Sequence, residues 1–153
     1  MSYNAFLNTP IGIIKIIASE EKIISLQFVN KIDEQENLNC VLKEVMSQLK
    51  EYFNGIRKNF NIPLEIRGTD FQIRVWNLVK CIPYGETLSY KDIALMLGNV
   101  NYSRAVGNAN NKNKFPIIIP CHRVIGSSGK LIGYSSGIEK KEWLLRLEAR
   151  YKS

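Results

Sequence analysis

Thr87-Leu88-Ser89-Tyr90-Lys91-Asp92-Ile93-Ala94-Leu95-Met96-Leu97-Gly98, followed after a short turn by Tyr102-Ser103-Arg104-Ala105-Val106-Gly107-Asn108-Ala109-Asn110, decides the fold of the second half of this 153-residue chain. Ser89 and Asp92 have capping-box spacing, in which each side chain satisfies a backbone N–H that a helix start leaves free, and Gly98 stands where a helix stops. Tyr102 to Asn110 can form a second short helix. Two short helices joined by a glycine-containing turn predict a helix-turn-helix unit. On the second helix Ser103, Ala105 and Gly107 are small and Arg104 stands among them, so backbone can approach a partner closely while one long cation projects. Tight packing against another helix uses small residues equally well, and at this level both readings stand.

Downstream, Ile117-Ile118-Ile119, bracketed by Pro116 and Pro120, is a buried run that delivers the chain to Cys121 and to His122, the only histidine. A thiol with a pKa near 8.5 is a weak nucleophile at neutral pH. An imidazole, cations such as Arg123 and a helix N-terminus are what increase its thiolate fraction. Adjacent side chains diverge, so His122 is expected to reach Cys121 through a water, with an acid on its far nitrogen. Glu148 is the candidate for that acid. Core packing is the alternative for Cys121. Cys40 and Cys81 fall on apolar helical faces and are read as core thiols.

Upstream, Gly12 to Ala18 and Ile23 to Phe28 are β-branched runs separated by Ser19-Glu20-Glu21-Lys22, which predicts a hairpin, with Tyr3 to Leu7 as a third strand. Leu38, Val41, Leu42, Val45, Met46, Leu49, Tyr52 and Phe53 recur at helical spacing and predict a helix closed by Gly55, its stripe in the core. Phe60 to Arg67 reads as an extended connection. A further helix runs from Asp70, the expected N-cap, to Cys81, with Phe71, Val75, Leu78 and Val79 inward and Pro83-Tyr84-Gly85 beyond it.

Composition bounds the function. With 45% hydrophobic and 23% charged residues the chain is globular, and disorder, collagen and repeat arrays are excluded. The longest apolar stretch, Ile11 to Ala18, contains Lys15 and is far below the roughly 20 residues a bilayer needs. The start Met1-Ser2-Tyr3-Asn4 lacks a basic flank, so a soluble, cytoplasmic protein is expected. Three cysteines without Cys-x-x-Cys spacing and one histidine build neither a disulfide framework nor a zinc site. There is no Gly-x-Gly, hence no dinucleotide fingerprint; no cofactor and no metal are expected. The net charge of +7 is unevenly placed: residues 1–67 balance, whereas residues 68–153 carry 13 Lys/Arg against 6 acids. A positive field confined to the half with the helix-turn-helix points to nucleic acid.

Pro120-Cys121-His122-Arg123-Val124, with Ile117-Ile118-Ile119 before it and Ile125-Gly126, Gly133-Tyr134-Ser135 and Lys141-Glu142-Trp143-Leu144-Leu145 after it, resembles the active-site segment of the O6-alkylguanine-DNA alkyltransferases. Arg104-Ala105-Val106-Gly107-Asn108-Ala109-Asn110 with Asn113 is similar to the preceding block of that family, and Ile82-Pro83-Tyr84-Gly85-Glu86-Thr87-Leu88-Ser89-Tyr90 to the one before it. The match covers about residues 68 to 149; the N-terminal part matches in outline. The resemblance implies irreversible transfer of an alkyl group from O6-alkylguanine in double-stranded DNA to Cys121, in a single turnover without cofactor. His122 then acts as base through a water, and Glu148 orients it. Tyr90 donates toward guanine N3 and crowds the 3′ phosphate, and Asn113 is the hinge between recognition helix and active-site turn. Arg104 fills the stack vacated by the flipped base, while Ser103, Ala105, Gly107, Tyr90 and Arg123 meet DNA in the minor groove. Pro116, Val124, Tyr134, Ser135 and Ser136 line the base pocket. Repair of O4-alkylthymine is left open, and a monomer is expected.

Lys114 stands where the family usually has proline, and Ser136 where glycine is common. The family reading gives an α/β N-terminal unit over 1–62, ribonuclease-H-like with a small antiparallel sheet plus helix. Over 68–153 it gives a mainly helical, winged-helix-like DNA-binding and alkyl-acceptor unit. Two alternatives remain: a non-catalytic lesion binder, whose relatives replace the cysteine that is present here, and a Cys-His hydrolase, which rarely has its pair side by side.

Overall fold

The computed structural model describes residues 2–152, which fall into two compact units that divide between Ile66 and Arg67. In the first, β1 (Tyr3–Thr9), β2 (Gly12–Ala18) and β3 (Ile23–Val29) form an antiparallel sheet in the order β1-β2-β3. Alternation along β2 buries Ile14, Ile16 and Ala18 completely, as a strand with one covered face requires. Helix α1 (Cys40–Phe53) is capped by Asn39, whose side chain accepts from Leu42 N, and packs Leu42, Val45, Leu49 and Tyr52 into this core. Two expectations change. Leu38 precedes the helix and is exposed, and Cys40, its first residue, lies on the open side; the three- and four-residue spacing does not govern a side chain before the first full turn. Residues 63–65, expected as connection, run beside β3: Ile23 N donates to Pro63 O at 2.9 Å and Glu65 N to Ile23 O at 2.8 Å. Pro63 gives up no bond there, because only its carbonyl is used.

The second unit is mainly helical. Helix α2 (Asp70–Lys80) starts one residue earlier in its cap than expected. Thr69, not Asp70, is the N-cap and shares a reciprocal capping box with Gln72. Val75, Trp76 and Val79 face inward, and Trp76 Nε1 donates to Ala109 O at 2.8 Å. Cys81 follows the last turn as the C-cap and is exposed, so it too is no core thiol. β4 (Leu88–Ser89) leads into α3 (Tyr90–Met96), with the expected Ser89–Asp92 capping box at 2.9 Å in both directions. Gly98, at φ +108°, takes the left-handed turn after it. One 3-10 turn, Val100–Tyr102, precedes α4 (Ser103–Asn111), which completes the helix-turn-helix. β5 (Val124–Ile125) pairs in parallel with β4, and α5 (Ile138–Tyr151) closes the unit. No helix among the described residues is long and apolar enough to cross a membrane.

Candidate active site

Cys121 opens a single 3-10 turn, Cys121–Arg123, rather than a helix, so a helix dipole contributes little to its acidity. The turn is built by the run before it. Ile119 N donates to Phe115 O at 2.8 Å and Cys121 N to Ile119 O at 2.7 Å. Ile117 sits at φ +78°, a left-handed conformation costly for a β-branched side chain, and its own side chain is 1% exposed. Asn113 ties this loop to itself: its Nδ2 donates to Ile119 O at 2.8 Å and its Oδ1 accepts from Phe115 N at 2.9 Å. A bond from the helix-turn-helix itself to the reactive turn comes from Asn110, on α4, whose Nδ2 donates to Cys121 O at 3.1 Å.

Beneath the turn lies a fully buried polar network. Glu148, from α5, accepts His122 Nε2–H at 2.6 Å on Oε2, and Arg123 as a fork, Nε on Oε1 at 2.8 Å and Nη2 on Oε2 at 3.0 Å. Gly85 N adds a fourth bond at 3.2 Å, and Arg123 Nη1 donates to Ile82 O at 2.7 Å. Burial alone would raise the Glu148 pKa, but the hydrogen bonds and charges of His122 and Arg123 outweigh it and hold the carboxyl well below the usual carboxylate range. Burial lowers the His122 pKa despite Glu148, so the ring is neutral at pH 7. With Nε2–H given to a permanent carboxylate, Nδ1 carries the lone pair. That atom is buried without a protein partner among the described residues, which suits a proton acceptor working through water.

Burial also raises the Cys121 thiol. The hydrogen bond from Asn113, the charge of Lys141 and the Tyr134 hydroxyl oppose it. Lys141 is wholly buried, donating Nζ to Val124 O at 2.6 Å and Ile132 O at 2.9 Å, and burial takes its pKa to about 8. The resting sulfur is therefore a thiol surrounded by groups that stabilise its thiolate once the proton leaves. Nucleophile, base, base-orienting acid and local cation together make an acceptor site for a group bound to a good leaving group.

Family patterns match most of the chain: 6-O-methylguanine DNA methyltransferase, ribonuclease-like domain, over residues 2–66, and the DNA binding domain of the same protein over residues 70–150. The chain belongs to the 6-O-methylguanine DNA methyltransferase family. Among relatives in that family, the methylated-DNA–protein-cysteine methyltransferase of Methanosarcina acetivorans is 45% identical over 155 residues, 95% of this chain and 97% of the relative. The constitutive enzyme of Bacillus subtilis is 43% identical, covering 97% and 96%. The crystal structure of the Mycobacterium tuberculosis O6-methylguanine methyltransferase superposes with TM-score 0.89 at 39% identity, over 100% of this chain and 96% of that one. The M. tuberculosis protein in complex with DNA gives TM-score 0.87 at 40% identity, over 95% and 92%.

Within this methyltransferase fold, Tyr90 is half-buried at the start of α3, and Arg104 and Ala105 are exposed on α4 beside Ser103 and Gly107. A Cβ built on Gly107 meets only the Tyr90 ring, at an ordinary 3.8 Å, so internal packing does not require glycine there and the small face is turned outward. Tyr90, Ser103, Arg104 and Gly107 border a cleft of about 490 Å³ together with Ile132 and Gly133. Pro116, Val124 and Tyr134 are buried and Ser135 and Ser136 lie in the loop after them, but none of the five borders that cleft. The Tyr90 hydroxyl donates to Ile132 O at 2.9 Å and so draws the loop across the pocket side of α3. Arg123, expected against DNA, is 5% exposed and committed to Glu148 and Ile82. Asn110 and Lys141 each stand in a block that the resemblance covers, but nothing in the sequence marks them as site residues, and only the packing shows what they touch.

Proposed function

We propose that this protein repairs DNA by direct reversal, taking the alkyl group from O6 of guanine onto Cys121 in a single irreversible turnover. The observation that carries the reading is the buried Cys121–His122–Glu148 arrangement under a helix-turn-helix whose outward face is small and basic. Duplex DNA is bound by α4 in the minor groove, where a slim helix face is needed. The target atom lies inside the stack, so the lesion is turned out at a cost of a few kcal/mol, and Arg104 fills the gap. His122 Nδ1 takes the thiol proton through a water, the thiolate attacks the alkyl carbon, a C–S bond forms and the C–O6 bond breaks. Tyr90 donates to guanine N3 as the base leaves with the electron pair. Lys141 and the Tyr134 hydroxyl stabilise the thiolate before attack. The thioether has no leaving route, so the protein is consumed.

The test is peptide mapping after incubation with duplex carrying O6-methylguanine. One methyl on the peptide holding Cys121, none on those holding Cys40 or Cys81, and none anywhere in Cys121→Ala is the expected result. Methyl on another residue, or lesion binding without transfer, overturns the reading.

A further inference from the structure

Residues 126–137, between β5 and α5, contain neither helix nor strand. Their own backbone hydrogen bonds are local turns: Gly126 N to Lys130 O at 2.8 Å, Gly129 N to Gly126 O at 2.9 Å and Gly137 N to Tyr134 O at 3.1 Å. Among the described residues, the hydrogen bonds that fasten 127–136 to the rest of the unit converge on one atom, Ile132 O. It accepts the Tyr90 hydroxyl proton at 2.9 Å and Lys141 Nζ at 2.9 Å. The approach is close enough to require glycine at the next position, because Gly133 has φ +72° and a Cβ there would stand 3.1 Å from the Tyr90 oxygen. Cys121, 5% exposed, does not border the 490 Å³ cleft that Tyr90, Ile132 and Gly133 help to form, so a base entering it stops short of the sulfur. A phenol has one proton to give. Tyr90 cannot donate it to guanine N3 until Ile132 O has let it go.

We propose that residues 126–137 are a lid over the acceptor thiol and that Ile132 O is its latch, holding on Tyr90 the place that guanine N3 takes during transfer. Spontaneous opening breaks the Tyr90–Ile132 bond with nothing to replace it but water. A flipped base replaces it with an equivalent bond, and a ligand shifts such an equilibrium only through a contact of this kind, made in one state and not in the other. Lys141 Nζ, which also donates to Val124 O at 2.6 Å, keeps the second anchor on the core of the unit while the first is exchanged. The lid spares a thiol that works once from small electrophiles in solution and opens it to a base presented on DNA. The inference rests on the reading of Tyr90 as donor to N3, so its test uses a readout other than transfer.

The experiment measures the rate at which iodoacetamide alkylates Cys121 in the DNA-free protein, read by peptide mass spectrometry well below the melting transition. The exposed Cys40 and Cys81 serve as internal standards. Tyr90→Phe removes one of the two bonds on the latch and should speed Cys121 by roughly fivefold, the worth of one neutral hydrogen bond, while the two standards stay constant. The factor should be the same at every pH, because opening multiplies the rate, whereas a change in thiol acidity shifts the pH at which the rate rises. Gly133→Ala, which sets a methyl group against the Tyr90 hydroxyl and leaves the reacting side chains in place, should act in the same direction. Rates unchanged in both variants, a shifted pH profile, or acceleration of all three cysteines together would overturn the lid. An ungated thiol in a protein that still takes up methyl from DNA refutes the lid and leaves direct reversal standing; gating in a protein that takes up none refutes direct reversal instead.

Discussion

Glu148→Gln tests the buried network at its centre. The carboxylate accepts hydrogen bonds from Arg123 Nε and Nη2, from His122 and from Gly85 N, and is fully buried. Glutamine keeps the shape but offers one acceptor oxygen, sets an N–H against one of these donors, and leaves the Arg123 guanidinium buried without a counter-charge. Removing one member of a buried ion pair costs about 3–5 kcal/mol, and retained packing favours the low end. For a unit of this size, where 1 kcal/mol moves the melting point by roughly 4–8 °C, a loss of about 12 °C or more follows. The substitution also reverses the histidine, because an amide N–H opposite Nε2 drives the ring proton to Nδ1, the atom needed as acceptor. Transfer should then slow by about 10²–10⁴-fold, the usual worth of a general base. Calorimetric melting and single-turnover transfer, run well below the variant's transition, measure the two effects separately. Adding Arg123→Met to Glu148→Gln should recover part of the stability and none of the rate. A variant that melts within about 3 °C of the parent and transfers normally would refute both the electrostatic account and the assignment of the base.

Arg104→Ala, which removes an exposed side chain of α4, should slow repair by a larger factor than it weakens undamaged-duplex binding; an unchanged repair rate contradicts the stack-filling role. Acid should destabilise the fold. His122 and Glu148 both have lowered pKa values, so the unfolded chain binds more protons below the ordinary values of 6.5 and 4.5, and stability falls as pH drops through this window. A melting temperature that is level or rising from about pH 7 to pH 4 would contradict that sign. Methylated protein should melt lower than untreated protein, because Cys121 is 5% exposed among wholly buried neighbours and overpacking costs about 1–3 kcal/mol; a higher melting point after methylation shows that the pocket absorbs the adduct without strain.

Local signals were legible wherever they were chemical. The Ser89–Asp92 box, Gly98 and the hairpin across residues 19–22 can be read because caps and turns depend on residues a few positions apart. The N-cap at Thr69 was equally readable from its spacing to Gln72, but Asp70 is an equally good capping residue one position on, and sequence does not rank the two. Cys40 and Cys81 depart from the core reading for a related reason: both stand at helix ends and are exposed, where periodicity no longer fixes the side chain's face. The site divides in the same way. Cys121, His122 and Glu148 are visible as types needed for one reaction. That Arg123 turns inward to Glu148 follows from a pairing 25 residues distant. Lys140 and Lys141 are adjacent and chemically identical, and only the direction of α5 decides that Lys141 is buried. Asn110 stands within α4 and Asn113 just beyond it, and three-dimensional packing alone shows that Asn110 donates to the Cys121 carbonyl.

The central claim is that the alkyl group leaves guanine and stays on this protein. Duplex with O6-methylguanine labelled in the methyl group, titrated with increasing protein and followed to completion, measures it directly. The account predicts that label leaves the DNA in step with its appearance on Cys121, that guanine is restored in the duplex, and that the yield ends at one methyl per protein molecule however long the incubation. Label released as a free small molecule, repair of many lesions by one protein molecule, or excision of the base with an abasic site left behind would contradict it.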